Sequence, residues 1–149
     1  MNPELAVEEH LLEDAEIFEA TRRCIDAWNS LDLEAVLATY SDDVIYRDSG
    51  SGGRIDGKRS LERYLNRFLQ VWDMQFVVTE DRRIAGSNAQ VCLWDVVVRR
   101  RDGRGQPVMT SGMDIIHVNV RGELSRDEAY IDRVPLLPLT NPAVAERGR

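Results

Sequence analysis

Residues 88–118 read NAQVCLWDVVVRRRDGRGQPVMTSGMDIIHV, and this stretch decides the fold. Two β-rich runs, 88–99 and Val108–Val118, flank Asp102-Gly103-Arg104-Gly105, whose aspartate and glycines supply turn chemistry. Each run holds about ten residues, above the usual strand length, which favours a strongly bent sheet. Outward from this hairpin, Arg121-Gly122 leads into a further run at 123–134. On the other side Ala85-Gly86-Ser87-Asn88 joins it to a strand at 75–79. Everything after Met74 therefore reads as strand.

The amino-terminal half has helical periodicity. Ile17, Thr21, Cys24, Trp28 and Leu31 share one stripe of a predicted helix, Asp14–Ser30. Asp32 suits the N-cap of a short second helix at 33–39, closed by Asp42-Asp43. A brief strand at 44–48 precedes Ser49-Gly50-Ser51-Gly52-Gly53, which is either a simple connector or the rim of a pocket. After an Asp56-Gly57 turn, Leu61, Tyr64, Leu65, Phe68 and Trp72 mark a third amphipathic helix. Helices first and long hairpins afterwards predict an α+β layer architecture rather than alternating βαβ units. The prediction is one domain over 1–149 with its core at about 14–134, and residues 138–149 as a loose tail or accessory arm.

Composition narrows the function. The net charge of −7 gives no electrostatic pull toward phosphate backbones or anionic membranes, so nucleic acid and membrane are not expected partners. No run approaches the roughly 18 apolar residues of a membrane span. Residues 1–16 are acidic and carry no charged-then-apolar leader pattern, so a cytoplasmic location is expected. Cys24 and Cys92 lie far apart in apolar segments and read as two buried thiols rather than a disulfide. Lys58, the single lysine, is the sole candidate for Schiff-base chemistry and sits at a helix start. His10 and His117 have no supporting ligand spacing, so neither a metal nor another cofactor is predicted. Arg99-Arg100-Arg101 reads as a solvated hairpin tip or a contact for an acidic partner.

Several stretches carry a family resemblance: Asp32-Leu33-Glu34-Ala35, then Tyr40-Ser41-Asp42-Asp43-Val44-Ile45-Tyr46-Arg47-Asp48, and Ile55-Asp56-Gly57 leading into a helix. Later come Gly112-Met113-Asp114-Ile115-Ile116, and Gly122-Glu123-Leu124 through Ala129-Tyr130. Together they resemble the ketosteroid isomerase and polyketide cyclase branch of the NTF2-like (SnoaL-like) superfamily. The resemblance implies a cone-shaped, cystatin-like fold, with a curved mixed or antiparallel sheet wrapped around the amino-terminal helices. It also implies a homodimer, for which the alternating Cys92, Trp94 and Val96 would supply apolar area on the outer sheet face.

It gives meaning to two carboxylates as the catalytic pair. Asp48 falls where such isomerases keep a proton-shuttling aspartate, and Asp114 where they hold a neutral aspartic acid that donates to the substrate oxyanion. SnoaL-type cyclases place an acid/base aspartate at what looks like the strand position of Asp114. The family's helix-1 tyrosine falls on Cys24, and a supporting tyrosine on Leu65, while Tyr40 matches another member of that tyrosine group. A thiol is a poor donor beside a phenol, which points to related chemistry on a substrate other than a steroid.

The residues themselves leave alternatives. Asp114, among Met113, Ile115, Ile116 and Val118, either faces a pocket with a raised pKa or swings out to Arg99 or Arg126. Asp48 could equally cap the Ser-Gly loop. A turn centred on Gly103-Arg104 sets Asp95 opposite Gly112 on the Asp114 side; a shift of one residue puts Trp94 inside instead. Asp127 shares its side with Ala129 and Ile131, whereas His117 faces away from Asp114. Trp28, Tyr46, Tyr64, Phe68, Trp72 and Met113 are core or pocket lining, with Trp28 and Tyr46 placed in the cavity beside Cys24, Tyr40, Leu65, Ile116 and Ile131.

The resulting prediction is a cofactor-independent acid–base enzyme for an apolar, carbonyl-containing small molecule, by isomerisation, cyclisation or dehydration. The alternatives are a non-catalytic small-molecule-binding or dimeric interaction module, and epoxide-hydrolase-like water addition in which Asp95, Asp114 and Asp127 hold the water.

Overall fold

In the computed structural model the described residues are 10–141 and 143. Helix α1 (Asp14–Ser30) begins with a capping box between Glu13 and Glu16 and ends where Leu31 turns left-handed at φ 59°. Its inward stripe buries Ile17, Ala20, Thr21, Cys24, Ile25 and Trp28, the two isoleucines each contributing about 1.5–3 kcal/mol by leaving water. The amino-terminal approach is pinned: the Leu12 N–H donates to Asn88 Oδ1 at 2.8 Å, and Asn88 Nδ2 donates to the His10 carbonyl at 2.8 Å. Residues 1–9 of the acidic leader lie outside the described residues. Helix α2 (Leu33–Ala38) is capped by Asp32, whose Oδ1 accepts from the Glu34 and Ala35 N–H groups.

Strand β1 (Tyr40–Arg47) starts four residues earlier than periodicity predicts, since the polar Ser41-Asp42-Asp43 breaks the apolar run without ending the strand. A two-residue strand, β2 (Ile55–Asp56), precedes helix α3 (Lys58–Val71). Strands β3 (Trp72–Ile84), β4 (Ala89–Arg100), β5 (Val108–Val118) and β6 (Leu124–Ile131) complete one six-stranded sheet in the order β2-β1-β6-β5-β4-β3. Pairing is antiparallel except where β1 runs parallel to β6, so the sheet is mixed. Trp72 belongs to β3, not to the third helix, and β3 extends well past Thr79. As an edge strand it carries Glu80, Asp81, Arg82 and Arg83 without burying all of them, and those charges conceal it in the sequence. Register breaks between Val78 and Glu80, and between His117 and Val118, bend the sheet over the helices.

The β4–β5 hairpin corrects the parity reading. Val98 pairs with Val108, so the turn centres on Gly103, and Trp94 stands opposite Gly112 with Asp95 opposite Ser111. One residue of register flips every side chain. Cys92, Trp94 and Val96 are consequently buried on the inner face and cannot form the outer dimer surface the sequence suggests. Asp95 faces out and accepts from the Ser111 hydroxyl at 2.7 Å. Met113, paired with Leu93 and Tyr130, likewise projects outward rather than into a pocket. Gly112 is the local reason for this register: a Cβ there would collide with the Trp94 ring and the Tyr130 carbonyl.

The carboxyl end departs from the loose tail predicted from 138. A 3-10 turn (Val134–Leu136) and helix α4 (Leu137–Thr140) fold back, and Leu139 is buried in the core. Residues 142 and 144–149 of that tail lie outside the described residues. The arginine run is also less free than a solvated tip. Arg101 donates to the Leu69 carbonyl at 2.6 Å, while Arg100 pairs with Asp102 and stacks on Trp72. Cys24 and Cys92 are both free, buried thiols.

Candidate active site

Between the inner sheet face and α1 lies a cavity of about 200 Å³. Its walls are mostly apolar: Trp28 and Ile25 from α1, Phe68 from α3, Met74 and Phe76 from β3, Trp94 from β4 and Ile116 from β5. Three carboxylates also face it, Asp48, Asp114 and Asp127. Their surroundings differ sharply.

Asp48, just past β1, stands at the mouth and is held by neutral donors. Tyr46 O–H donates to Oδ2 at 2.7 Å, Tyr64 O–H reaches Oδ1 at 2.8 Å, and the Gly50 N–H donates to Oδ1 at 2.8 Å. The last bond is an Asx-turn, so Asp48 both caps the Ser-Gly loop and lines the cavity. That loop is a rim, since Ser49 and Gly50 line the opening. Burial, and then the Asp48 charge, keep the phenols of Tyr46 and Tyr64 well above their ordinary pKa, so both remain donors.

Asp114 projects from the middle of β5 and is only 7% exposed. Among the described residues no arginine pairs with it: Arg126 pairs with Glu128 instead, and Asp114 Oδ1 is buried without a hydrogen-bond partner. The Trp94 indole N–H makes no hydrogen bond either, although its proximity offsets part of the shift. Desolvation first, then the charges of Asp127 and Asp48, push the Asp114 carboxyl well above the usual carboxylate range.

Asp127 lies on the neighbouring strand, one step along the diagonal from Asp114, because Asp114 pairs with Ala129 and Asp127 with Ile116. Such diagonal neighbours are roughly 7–8 Å apart at the backbone, within reach for carboxyl groups. Asp127 Oδ2 accepts from Tyr40 O–H at 2.6 Å, and Tyr40 in turn accepts from the Trp28 indole at 3.1 Å. Oδ1 of Asp127 is buried and unpartnered. Burial raises its pKa to about 7, with Tyr40 pulling the other way.

Of the residues singled out by sequence, Asp48, Asp114, Asp127, Trp28, Tyr46, Cys24, Ile116 and Ile131 line the cavity. Tyr40 stands behind the wall and acts through Asp127, while Leu65 is fully buried in the core beneath α3. Asp95 belongs to the outer face. Cys24 occupies the wall with its thiol raised to about 12 by burial, a weak donor. Sequence reading missed Arg133, Leu136, Leu139 and Thr140, which close one side of the cavity. The three-residue spacing of Leu136 and Leu139, on either side of Pro138, is the signal that could have found them.

No curated protein sequence matches this chain. Solved structures do share its fold at low identity. A proposed isomerase from Bacillus subtilis superposes with a TM-score of 0.75 at 17% identity, covering 85% of this chain and 94% of its own. A proposed polyketide cyclase from Pseudomonas putida gives 0.69 at 19% identity, covering 80% and 94%. An epoxide hydrolase of the LEH-like type from M. tuberculosis gives 0.68 at 18% identity, covering 86% and 97%. These likenesses place the chain on the NTF2-like cone fold, the α+β architecture that helices followed by long hairpins predict. The sequence profile of the SnoaL-like domain matches residues 21–126, more than half the chain. This protein belongs to the SnoaL-like domain family.

Proposed function

We propose that this protein is a cofactor-independent acid–base enzyme that enolises a compact, apolar carbonyl compound. The observation that carries the reading is Asp114: a carboxyl group in a greasy wall, with Oδ1 buried and unpartnered, beside a second buried acid. Burial and neighbouring like charge favour the neutral form of such a group, which can donate a hydrogen bond to an oxygen on which negative charge develops. Asp48, held in place by three donors at the mouth, is the base that removes a proton from the carbon next to the carbonyl. The enolate then takes its proton back at another carbon, or attacks a second carbonyl within the same molecule, which accounts for isomerisation and cyclisation alike. Asp127, one diagonal away, disfavours ionisation of Asp114 through like charge. At about 200 Å³ the cavity is smaller than the roughly 300–1,000 Å³ of drug-sized ligand sites, so the reacting part of the substrate is compact.

The test is deuterium exchange into the α-positions of 2-tetralone and larger fused-ring ketones, followed by NMR. Exchange above the buffer rate is expected, with a loss of about 10²–10³-fold in Asp114→Asn and in Asp48→Asn. Unchanged exchange in both variants would sink the reading. Cys24 favours a second reading, a ligand-binding module without turnover, because the wall carries no strong donor there. Ketone binding with no exchange above buffer would establish that alternative.

A further inference from the structure

A second concavity opens beside the cavity mouth, an open groove of about 820 Å³ between α3 and the loop that leads to β2. Gly50, Phe68 and Trp72 line both spaces, so groove and cavity adjoin. Their chemistry is opposite. The cavity is apolar and acidic; the groove is lined by Arg54, Arg63 and Arg67, with Asp56 the single acid along it.

In a chain of net charge −7 this clustering is notable, and helix geometry makes it costly. Arg59, Arg63 and Arg67 recur every four residues on α3, so adjacent like charges sit one turn apart and repel. Little within the protein compensates. Arg54 pairs with Asp56 on the open surface, and Arg63 donates to the Ser60 hydroxyl at 3.1 Å. Arg67 has no hydrogen-bond or ion-pair partner among the described residues. Guanidinium groups left unpaired beside a ligand opening suit a carboxylate or a phosphate.

We infer that the substrate is an amphiphile: a compact apolar head in the cavity and an arm ending in an acidic group, held in the groove by Arg63 and Arg67. This rests on the cavity being a ligand site, as proposed above. The sorting follows from charge. An anionic group would lose its water in the mostly apolar cavity, beside the Asp48 carboxylate and with Arg133 as a single cation in the wall, whereas the open groove offers three arginines, so the molecule enters head first and its carbonyl end reaches Asp114. The arginines thereby set both which substrates bind and which end reacts.

A matched pair of fluorescent probes tests this: 11-(dansylamino)undecanoic acid and its methyl ester, which differ in the terminal charge and one methyl group. Each is titrated against the full chain, against Arg63→Gln/Arg67→Gln, and against Arg67→Glu. These side chains are exposed, so the variants are expected to fold. The acid is predicted to bind about tenfold more tightly than the ester, with the advantage shrinking as salt is raised. The double variant should erase that difference and leave ester affinity unchanged, while Arg67→Glu should turn it against the acid. Equal binding of acid and ester by the native chain, or an acid preference that survives in the variants, overturns the inference and leaves the cavity reading standing. Failure of both probes to bind overturns the inference, while the cavity reading is decided by the ketone exchange described above.

Discussion

The mouth and the floor of the cavity hold the same residue type in opposite circumstances. At the mouth, two phenols and a backbone N–H converge on Asp48. On the floor, Asp114 has no partner for Oδ1, and Asp127 has one hydroxyl on one oxygen and nothing on the other. Donors fix the Asp48 carboxylate in place as a hydrogen-bond acceptor; an acid sealed in an apolar wall beside another acid is pushed to keep its proton. The contrast shows that burial and hydrogen bonding, rather than residue type, set these aspartates apart, with tyrosine hydroxyls bonding Asp48 and Asp127 but not Asp114.

The largest way to break the contrast is to disturb the floor. Gly112→Val places a side chain against the Trp94 ring and the Tyr130 backbone, which cannot yield without moving two strands. A loss of about 2–4 kcal/mol is expected in denaturant unfolding. At the mouth, Gly50→Ala meets the Tyr64 hydroxyl and the Asp48 carboxylate at 3.2 and 3.5 Å, and should cost under about 1 kcal/mol. Equal losses would show that the floor is no better packed than the mouth.

A smaller effect sharpens the comparison through pH. The folded state raises Asp127 to about 7, above the roughly 3.9 of an unfolded aspartate. Between those values the folded chain binds more protons than the unfolded one, so stability falls as pH rises from about 4 to about 7. Asp114, raised as well, contributes in the same direction. Asp127→Asn keeps an acceptor for Tyr40 but cannot ionise. It should be more stable than the native chain by about 2 kcal/mol at pH 8, with the gap closing toward pH 4, in urea titrations across that range. A gap independent of pH would contradict the assignment.

Much of this was legible in the residues. The stripe of α1, the Asp32 cap and the turn glycines place the elements, and alternation along β6 puts Asp127 on the side of Ala129 and Ile131. The position of Asp114 inside the sheet follows the resemblance and the apolar residues around it. What failed was register. A turn with glycine at both 103 and 105 admits two centres, and a shift of one residue exchanges Asp95 for Trp94. Gly112 in mid-strand held the missing information, because a glycine there leaves room for a large ring opposite. The charged stretch of β3 and the short α4 escaped because an edge strand and a four-residue helix leave little periodicity to read. The hydrogen bonds of Tyr40, Tyr46 and Tyr64 depend on tertiary geometry that spacing does not encode.

The central claim is that the floor acid keeps its proton at neutral pH. Carbon-13 NMR of the aspartate carboxyls, assigned with Asp114→Asn and followed from pH 3 to 9, measures this directly. The account predicts that the Asp114 resonance stays at its protonated position through pH 7, while the Asp114–Asp127 pair titrates in coupled steps displaced upward. An Asp114 midpoint near 4 would contradict it.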